Sequence, residues 1–279
     1  MNRAPTHVFS PLHPNHSQMP SLGPALRPNR WIAPGAYWLL VAMWTVLVFM
    51  AWLLAPAYFP SPARVLRAFS ELTASQGLIG ELWTSLVLFG ESLLIASILS
   101  MGLAYATVVP AVRPIVMALT RARFLSLVGL TFIFTMMLSG GHALKVGLLV
   151  FGISAFFLTS MVDVVAQVPT EKLDHARTLR MGEWRTVWEV IVLGQMGTAL
   201  DVLRQNAAIG WMMLTMVEGI SRSEGGIGAL LMDQNKHFNL AAIFAVQGVF
   251  LVAGFAQDAV LAWLKATLVP HAALTTVRR

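Results

Sequence analysis

Glu91, Asp201, Arg204 and Glu218 are ionisable residues set in stretches of sequence that are otherwise apolar. A charged group at the centre of a lipid bilayer costs about 2.5–3.5 kcal/mol on insertion scales, so it is retained where it faces a polar cavity or a partner charge. At 100° per residue, Asp201, Arg204, Ala208, Trp211, Thr215 and Glu218 fall on one helical stripe about 100° wide. Asp201 and Arg204, three apart, are spaced to pair with each other, and Glu91 on another helix is a second candidate to neutralise Arg204. The chemistry open to this set is the passage of a polar solute across a membrane, or a contact between two copies of the chain. The plainer alternative makes Asp201 and Arg204 a structural pair near one membrane surface and puts Glu218 at the other. Gln205, Asn206, Gln247 and Gln257 read as hydrogen-bonding links between helices.

Other chemistries find no support in the sequence. Cysteine is absent, which excludes disulfides and thiolate metal sites. His13 and His16 lie in a Pro-broken segment that no helix could organise into a metal site. There is no Gly-x-Ser-x-Gly or His-Glu-x-x-His pattern, and His142 has no evident nucleophile as partner, so no catalytic residue is assigned. There is also no Gly-x-x-x-x-Gly-Lys-Ser/Thr loop, so the chain has no such cradle for nucleotide phosphates.

The elements that position these residues follow from composition. Of 279 residues 57% are hydrophobic and 11% charged, against roughly 25% charged in a soluble domain. Lipid is the solvent that suits such a chain, and the expectation is an all-α integral membrane protein. Residues 1–30, rich in Pro, His and Asn, read as a disordered tail. A first apolar run covers 31–59, and about 20 residues suffice to cross the hydrocarbon core. Ala55-Pro56-Ala57 could be taken for a leader cleavage site, but the apolar run is too long, and a retained helix is expected. A short amphipathic stretch follows at 63–72. Further spans are expected at about 82–109, 124–138, 146–162, 190–219 and 238–264, which makes six. Residues 221–236 read as a polar, Gly-containing connection, and 271–279 as a basic tail. The membrane domain is thus 31–270.

Positive charge sets orientation. With the amino terminus inside, Arg113, Arg121, Arg123, Lys172, Arg177, Arg180, Arg185 and Lys265 join the Arg residues of both tails on the cytoplasmic side. Arg64, Arg67, Lys145, Arg222 and Lys236 fall on the other. Both termini and the loop at 169–189 are therefore expected in the cytoplasm. The net charge of +6 comes from this asymmetry, and no basic stripe with interleaved aromatics points to nucleic acid.

The loop holds the most information. Pro169-Thr170-Glu171 is a helix-start signal. Leu173, Ala176, Trp184, Val187 and Trp188 recur at helical spacing among charges, and Gly182 offers a bend between two short helices. A solvated amphipathic linker is the bland reading. Here the sequence resembles the membrane subunit of bacterial ABC importers of the nitrate, sulfonate and taurine type. Asp174-His175-Ala176-Arg177-Thr178-Leu179 stands where that family has its Glu-Ala-Ala loop. Arg180 occupies the family's Gly position, with Gly182 two residues later, and Leu193-Gly194 replaces its closing Pro. Along about 59–270, Phe59-Pro60-Ser61-Pro62, Arg204, Glu218 and Gly226-Ile227-Gly228 resemble further family features in the same order.

The resemblance implies an importer permease fold of about six spans with a cytoplasmic coupling loop, in a bacterial inner membrane. It implies a permease dimer, a separate P-loop ATPase that binds ATP and magnesium, and a periplasmic substrate-binding protein. Docking to the ATPase would fall to Asp174, His175, Ala176, Arg177, Leu179, Arg180, Gly182 and Trp184. The candidate translocation path comes from the intramembrane charges and the stripe described above: Glu91, Asp201, Arg204, Trp211, Thr215 and Glu218. The cargo it implies is a small anion such as nitrate, a sulfonate or taurine. An ATP-independent secondary transporter or channel stays open as the alternative; it would need an internal repeat or discontinuous helices in both halves.

Overall fold

The structure is a computed structural model that describes residues 34–56, 58–138, 140–222 and 224–270. The tails, with His13 and His16, lie outside the described residues. No strand occurs among the described residues, and two units divide at Ser61.

The first unit contributes one helix, α1 (Pro34–Leu53), whose 20 residues include no charge. From its last turn the Trp52 indole N–H donates to the Pro60 carbonyl at 2.9 Å, folding the following Pro-rich turn back.

The second unit begins with α2 (Pro62–Ser75), where Pro at the first position presets the helical φ. Ala68 and Leu72, four apart, form its buried face, and Arg64, Arg67 and Glu71 point outward. Helix α3 (Leu78–Ala106) follows. Its 29 residues extend about 43 Å, more than the roughly 30 Å hydrocarbon core. Next come α4 (Arg113–Leu119), a 3-10 turn (Thr120–Phe124) and α5 (Leu127–Met137). Then α6 (Gly141–Ala166) leads to α7 (Thr170–Thr178) and α8 (Glu183–Thr186), which runs into a π-helical stretch at Val187–Leu193. Helices α9 (Met196–Ile220), α10 (Ile227–Lys236) and α11 (Leu240–Leu268) complete the unit.

Four of these, α1, α3, α6 and α11, are long and apolar enough to cross a membrane. Two bent pairs raise the number to six: Arg113–Phe124 with Leu127–Met137 at 112°, and Glu183–Leu193 with Met196–Ile220 at 48°. The chain is thus a helical, multi-pass membrane protein. Two expectations are corrected. The span at 124–138 is an 11-residue helix of about 16 Å, because Ser126 is extended and breaks it from the preceding turn, and it reaches the length of a crossing only together with Arg113–Phe124. The connection at 221–236 contains α10, whose Ile227 and Gly228 are buried. Apolar Ile227, Leu230 and Leu231 stand at helical spacing, and packing against α9 and α11 supplies what so short a helix lacks alone.

Three buried layers run along the bundle. At one end Ala68, Leu72, Leu78, Ile227, Ala242 and Val246 join α2, α3, α10 and α11. In the middle Leu88, Phe89, Leu149, Ile153, Ala207 and Leu214 join α3, α6 and α9. At the end that carries α7, Ala104, Val116, Phe157, Met161 and Ala199 close the core. The last layer is the loop end below, the first the far end.

Candidate functional site

At the loop end α7 starts after Pro169 and closes at Leu179. Arg180 then takes φ 55°, the left-handed region. Its N–H donates to the Arg177 carbonyl at 2.9 Å, and the Met181 N–H donates to the Ala176 carbonyl at 3.1 Å. This paired pattern is a Schellman ending, which normally selects glycine at the left-handed residue. Gly182, by contrast, sits at φ −65° and ψ 154°, a conformation open to any residue. The bend predicted at Gly182 is therefore made by Arg180. Replacing Arg180 with Gly is expected to raise stability by about 0.5–1 kcal/mol, because a Cβ in the left-handed region costs about 1–2 kcal/mol and glycine's chain entropy returns part of it. Chemical denaturation of the detergent-solubilised chain measures this, with Arg180→Val as the destabilising counterpart.

Ala176 is buried under this turn, and Asp174, His175, Arg177 and Arg180 are exposed, with Arg177 paired to Asp174 at 2.8 Å. Leu179, Trp184 and Trp188 are 63%, 75% and 59% exposed. Large apolar side chains clustered on a charged loop are a common mark of a protein contact. Behind them Glu171, Lys172, His175, Glu189, Val190 and Gly194 line a cleft of about 400 Å³. The π stretch ends where the Gly194 N–H donates to the Glu189 carbonyl at 3.0 Å. A Cβ on Gly194 would collide with the Val190 carbonyl oxygen, so the 48° break before α9 needs glycine there.

Along the bundle α9 and α11 face each other across a groove of about 740 Å³. Arg204, Ala208, Trp211 and Thr215 line it from α9, and Gln247, Phe250, Gln257 and Asp258 from α11. Four members of the predicted stripe thus share one cavity. Its two edge members do not. Asp201 turns away and accepts from Lys265 through both carboxylate oxygens at 2.6 Å. Glu218 turns into the core. The expected Asp201–Arg204 pair is also replaced, since Arg204 donates from Nε and a terminal nitrogen to both oxygens of Asp258. Asp258 was not anticipated, although as the sole carboxylate in an apolar span it carries the same signal as Glu91. Trp211 stacks on Phe89 at 5.1 Å, meets Phe250 edge-on at 5.7 Å and donates its indole N–H to Gln257. Gln257 is thus an interhelical link as expected, while Asn206 donates to Val202 of its own helix at 2.8 Å.

At the far end polar groups are packed into a knot. Glu218 is 0% exposed and accepts from the Ser85 hydroxyl at 2.6 Å and the Gly228 N–H at 2.7 Å. Ser85 in turn accepts from the Ile227 N–H at 2.8 Å, and Glu81 accepts from the Gly226 N–H. Lys145 is 1% exposed and donates to the Gly225 carbonyl at 2.8 Å. Gly225 and Gly226 hold φ 69° and 111°, and the Glu218 carboxyl group lies where a Cβ on Gly226 would stand. Nearby, Glu91 meets His142 at 2.9 Å, and the other ring nitrogen of His142 lies 3.4 Å from Glu224. Glu91, expected as a candidate partner for Arg204, meets His142 at the start of α6 instead, and Arg204 is held by Asp258.

No protein-family model matches the chain, and no curated protein sequence matches it.

Proposed function

We propose that this chain is the membrane-spanning subunit of an ATP-binding-cassette importer, coupling ATP hydrolysis on a separate cytoplasmic subunit to the passage of a small solute. The observation that carries this reading is Arg180. It occupies the position where the resembled family has glycine, and it is the loop residue held at positive φ. A left-handed backbone is the one glycine adopts most readily, so the conformation at Arg180 supports the reading even though the side chain differs. The exposed Leu179, Trp184 and Trp188 supply a surface for the ATPase, and the break at Gly194 links that surface to α9. The groove between α9 and α11 is the part of the chain suited to solute, completed in this reading by a second permease copy and fed by a periplasmic binding protein. The cargo class implied by the resemblance, a small anion, draws little from the groove itself, because Arg204 is already paired with Asp258.

Replacing residues 173–188 with a polar linker of equal length is expected to abolish copurification of the ATPase while the chain still inserts. Retention of the ATPase by that variant would refute the docking assignment.

A secondary transporter or channel gains one observation, the two bent helix pairs, since such proteins use discontinuous helices. Their angles of 112° and 48° are unequal, however, and the second break, at Gly194, lies at the loop end. Uptake into vesicles separates the two readings. An importer subunit stops when ATP is withdrawn, and a secondary transporter continues on an ion gradient.

A further inference from the structure

Residues 113–124 have no part in the sites described so far, and they sort into three strips by helical spacing. Val112, Val116 and Thr120 form the inward strip. Val116 is fully buried in the loop-end layer, and the Thr120 carbonyl lies 3.4 Å from the Thr159 hydroxyl of α6, which donates to it. On one flank of this strip stand Ile115 and Leu119, 64% and 43% exposed. On the other stand Arg113 and Arg121, both exposed. The 3-10 turn adds Arg123, whose guanidinium sits 5.0 Å from the centre of the exposed Phe124 ring.

Among the described residues, the arginines that pair with carboxylates are Arg177, Arg185 and Arg204, and Arg113, Arg121 and Arg123 are not among them. Nor could a sequence neighbour serve, because residues 92–162 contain no Asp or Glu. Three permanent positive charges thus lie beside an apolar flank, on a segment bent 112° from α5. Helix α5 runs alongside α6, with Leu127 beside Gly152, Phe134 on Phe151 and Leu138 beside Gly147, so the segment bent 112° from it lies across the axis of a helix long enough to cross a membrane.

We propose that residues 113–124 bind anionic phospholipids, with Arg113, Arg121 and Arg123 on the headgroup phosphates and Ile115, Leu119 and Phe124 against the acyl chains. The chemistry is complementary at each level. Guanidinium groups present paired N–H donors matched to phosphate oxygens and stay charged at any physiological pH. A helix with one basic and one apolar flank is the form that settles at the headgroup boundary, and each basic residue strengthens the attraction to an anionic surface. Because Val116 and Thr120 already fix the segment to the core, no ordering of the chain opposes the contact.

The test uses the full chain purified in a neutral detergent. Native mass spectrometry counts retained lipid after incubation with phosphatidylglycerol or with zwitterionic phosphatidylcholine. The expected result is preferential retention of phosphatidylglycerol, weakened about fivefold by Arg123→Gln and about a hundredfold by R113Q/R121Q/R123Q together. The corresponding triple lysine variant keeps the preference, and R64Q/R67Q on α2 leaves it unchanged. Should the triple glutamine variant fail to fold, the singles R113Q and R123Q decide. Equal retention of the two lipids by the parent chain overturns the proposal, as does unweakened phosphatidylglycerol retention by the glutamine variants. Displacement of the lipid by millimolar inorganic phosphate also overturns it, because that marks a free-anion site.

Discussion

Glu218→Ala is expected to lower the stability of the purified chain by about 3–5 kcal/mol, the range seen when one partner of a buried charged network is removed. The variant leaves the Ser85 hydroxyl and the Gly228 N–H without their acceptor in a site closed to water, next to the buried Lys145. For a chain of this size that corresponds to a drop of roughly 10 °C in melting temperature. Glu218→Gln falls between the two, because its amide oxygen replaces one acceptor while its NH2 group faces the other donor. Melting of all three proteins in the same detergent provides the comparison. If Glu218→Ala melts within about 1 °C of the parent, the knot contributes nothing to stability and the network has been misjudged.

Asp258→Ala and Arg204→Ala are each expected to reduce the inserted, folded yield about tenfold, less than an unpaired charge in hydrocarbon would, since the groove leaves both side chains part-exposed. The double variant R204D/D258R restores most of that loss by rebuilding the bidentate contact with its ends reversed. Asp201→Ala has a smaller effect, because Lys265 stands close to the end of α11 and can reach water. Fluorescence-detected gel filtration of each variant gives the yields, and transport assays follow on those that fold. A swap no better than either single variant would show that the two residues act separately. Glu91→Gln provides the control, since Glu91 contacts His142 and leaves the Arg204 pair alone.

Which parts of this were legible in the sequence follows from what helical periodicity encodes. A 3.6-residue repeat tells which side chains share a face, so Arg204, Ala208, Trp211 and Thr215 could be placed together before any coordinates. It gives no information about which helix lies opposite. Arg204 was therefore assigned to its sequence neighbour Asp201, while the true partner, Asp258, is 54 residues away. Asp201 and Glu218 stand at the two margins of the stripe, and marginal positions are the ones a neighbouring helix claims for itself. The long spans were plain because hydrocarbon demands length. Helix α10 was hidden because its stability comes from tertiary packing, and the break before α5 because an apolar run does not reveal the extended Ser126. At the loop, the sequence placed the bend within two residues but chose the glycine. The chain's hydrogen bonds chose Arg180.

The knot at Glu218 has a mechanical meaning. It clamps the last turn of α9 to α3 and to the start of α10, while the other end of α9 is set off from the loop by the break at Gly194. In the importer proposed above, α9 is held at one tip and driven at the other, a lever with its fulcrum under load. The 25 residues of α9 make an arm of about 37 Å, so a tilt of about 5° at the clamp carries the driven tip about 3 Å. Between fulcrum and tip lie Trp211 and Arg204, the first nearer the clamp and the second farther out. The aromatic contacts therefore shift least during such a stroke, and the Arg204–Asp258 bridge is stretched before them, like the outer tooth of a zipper.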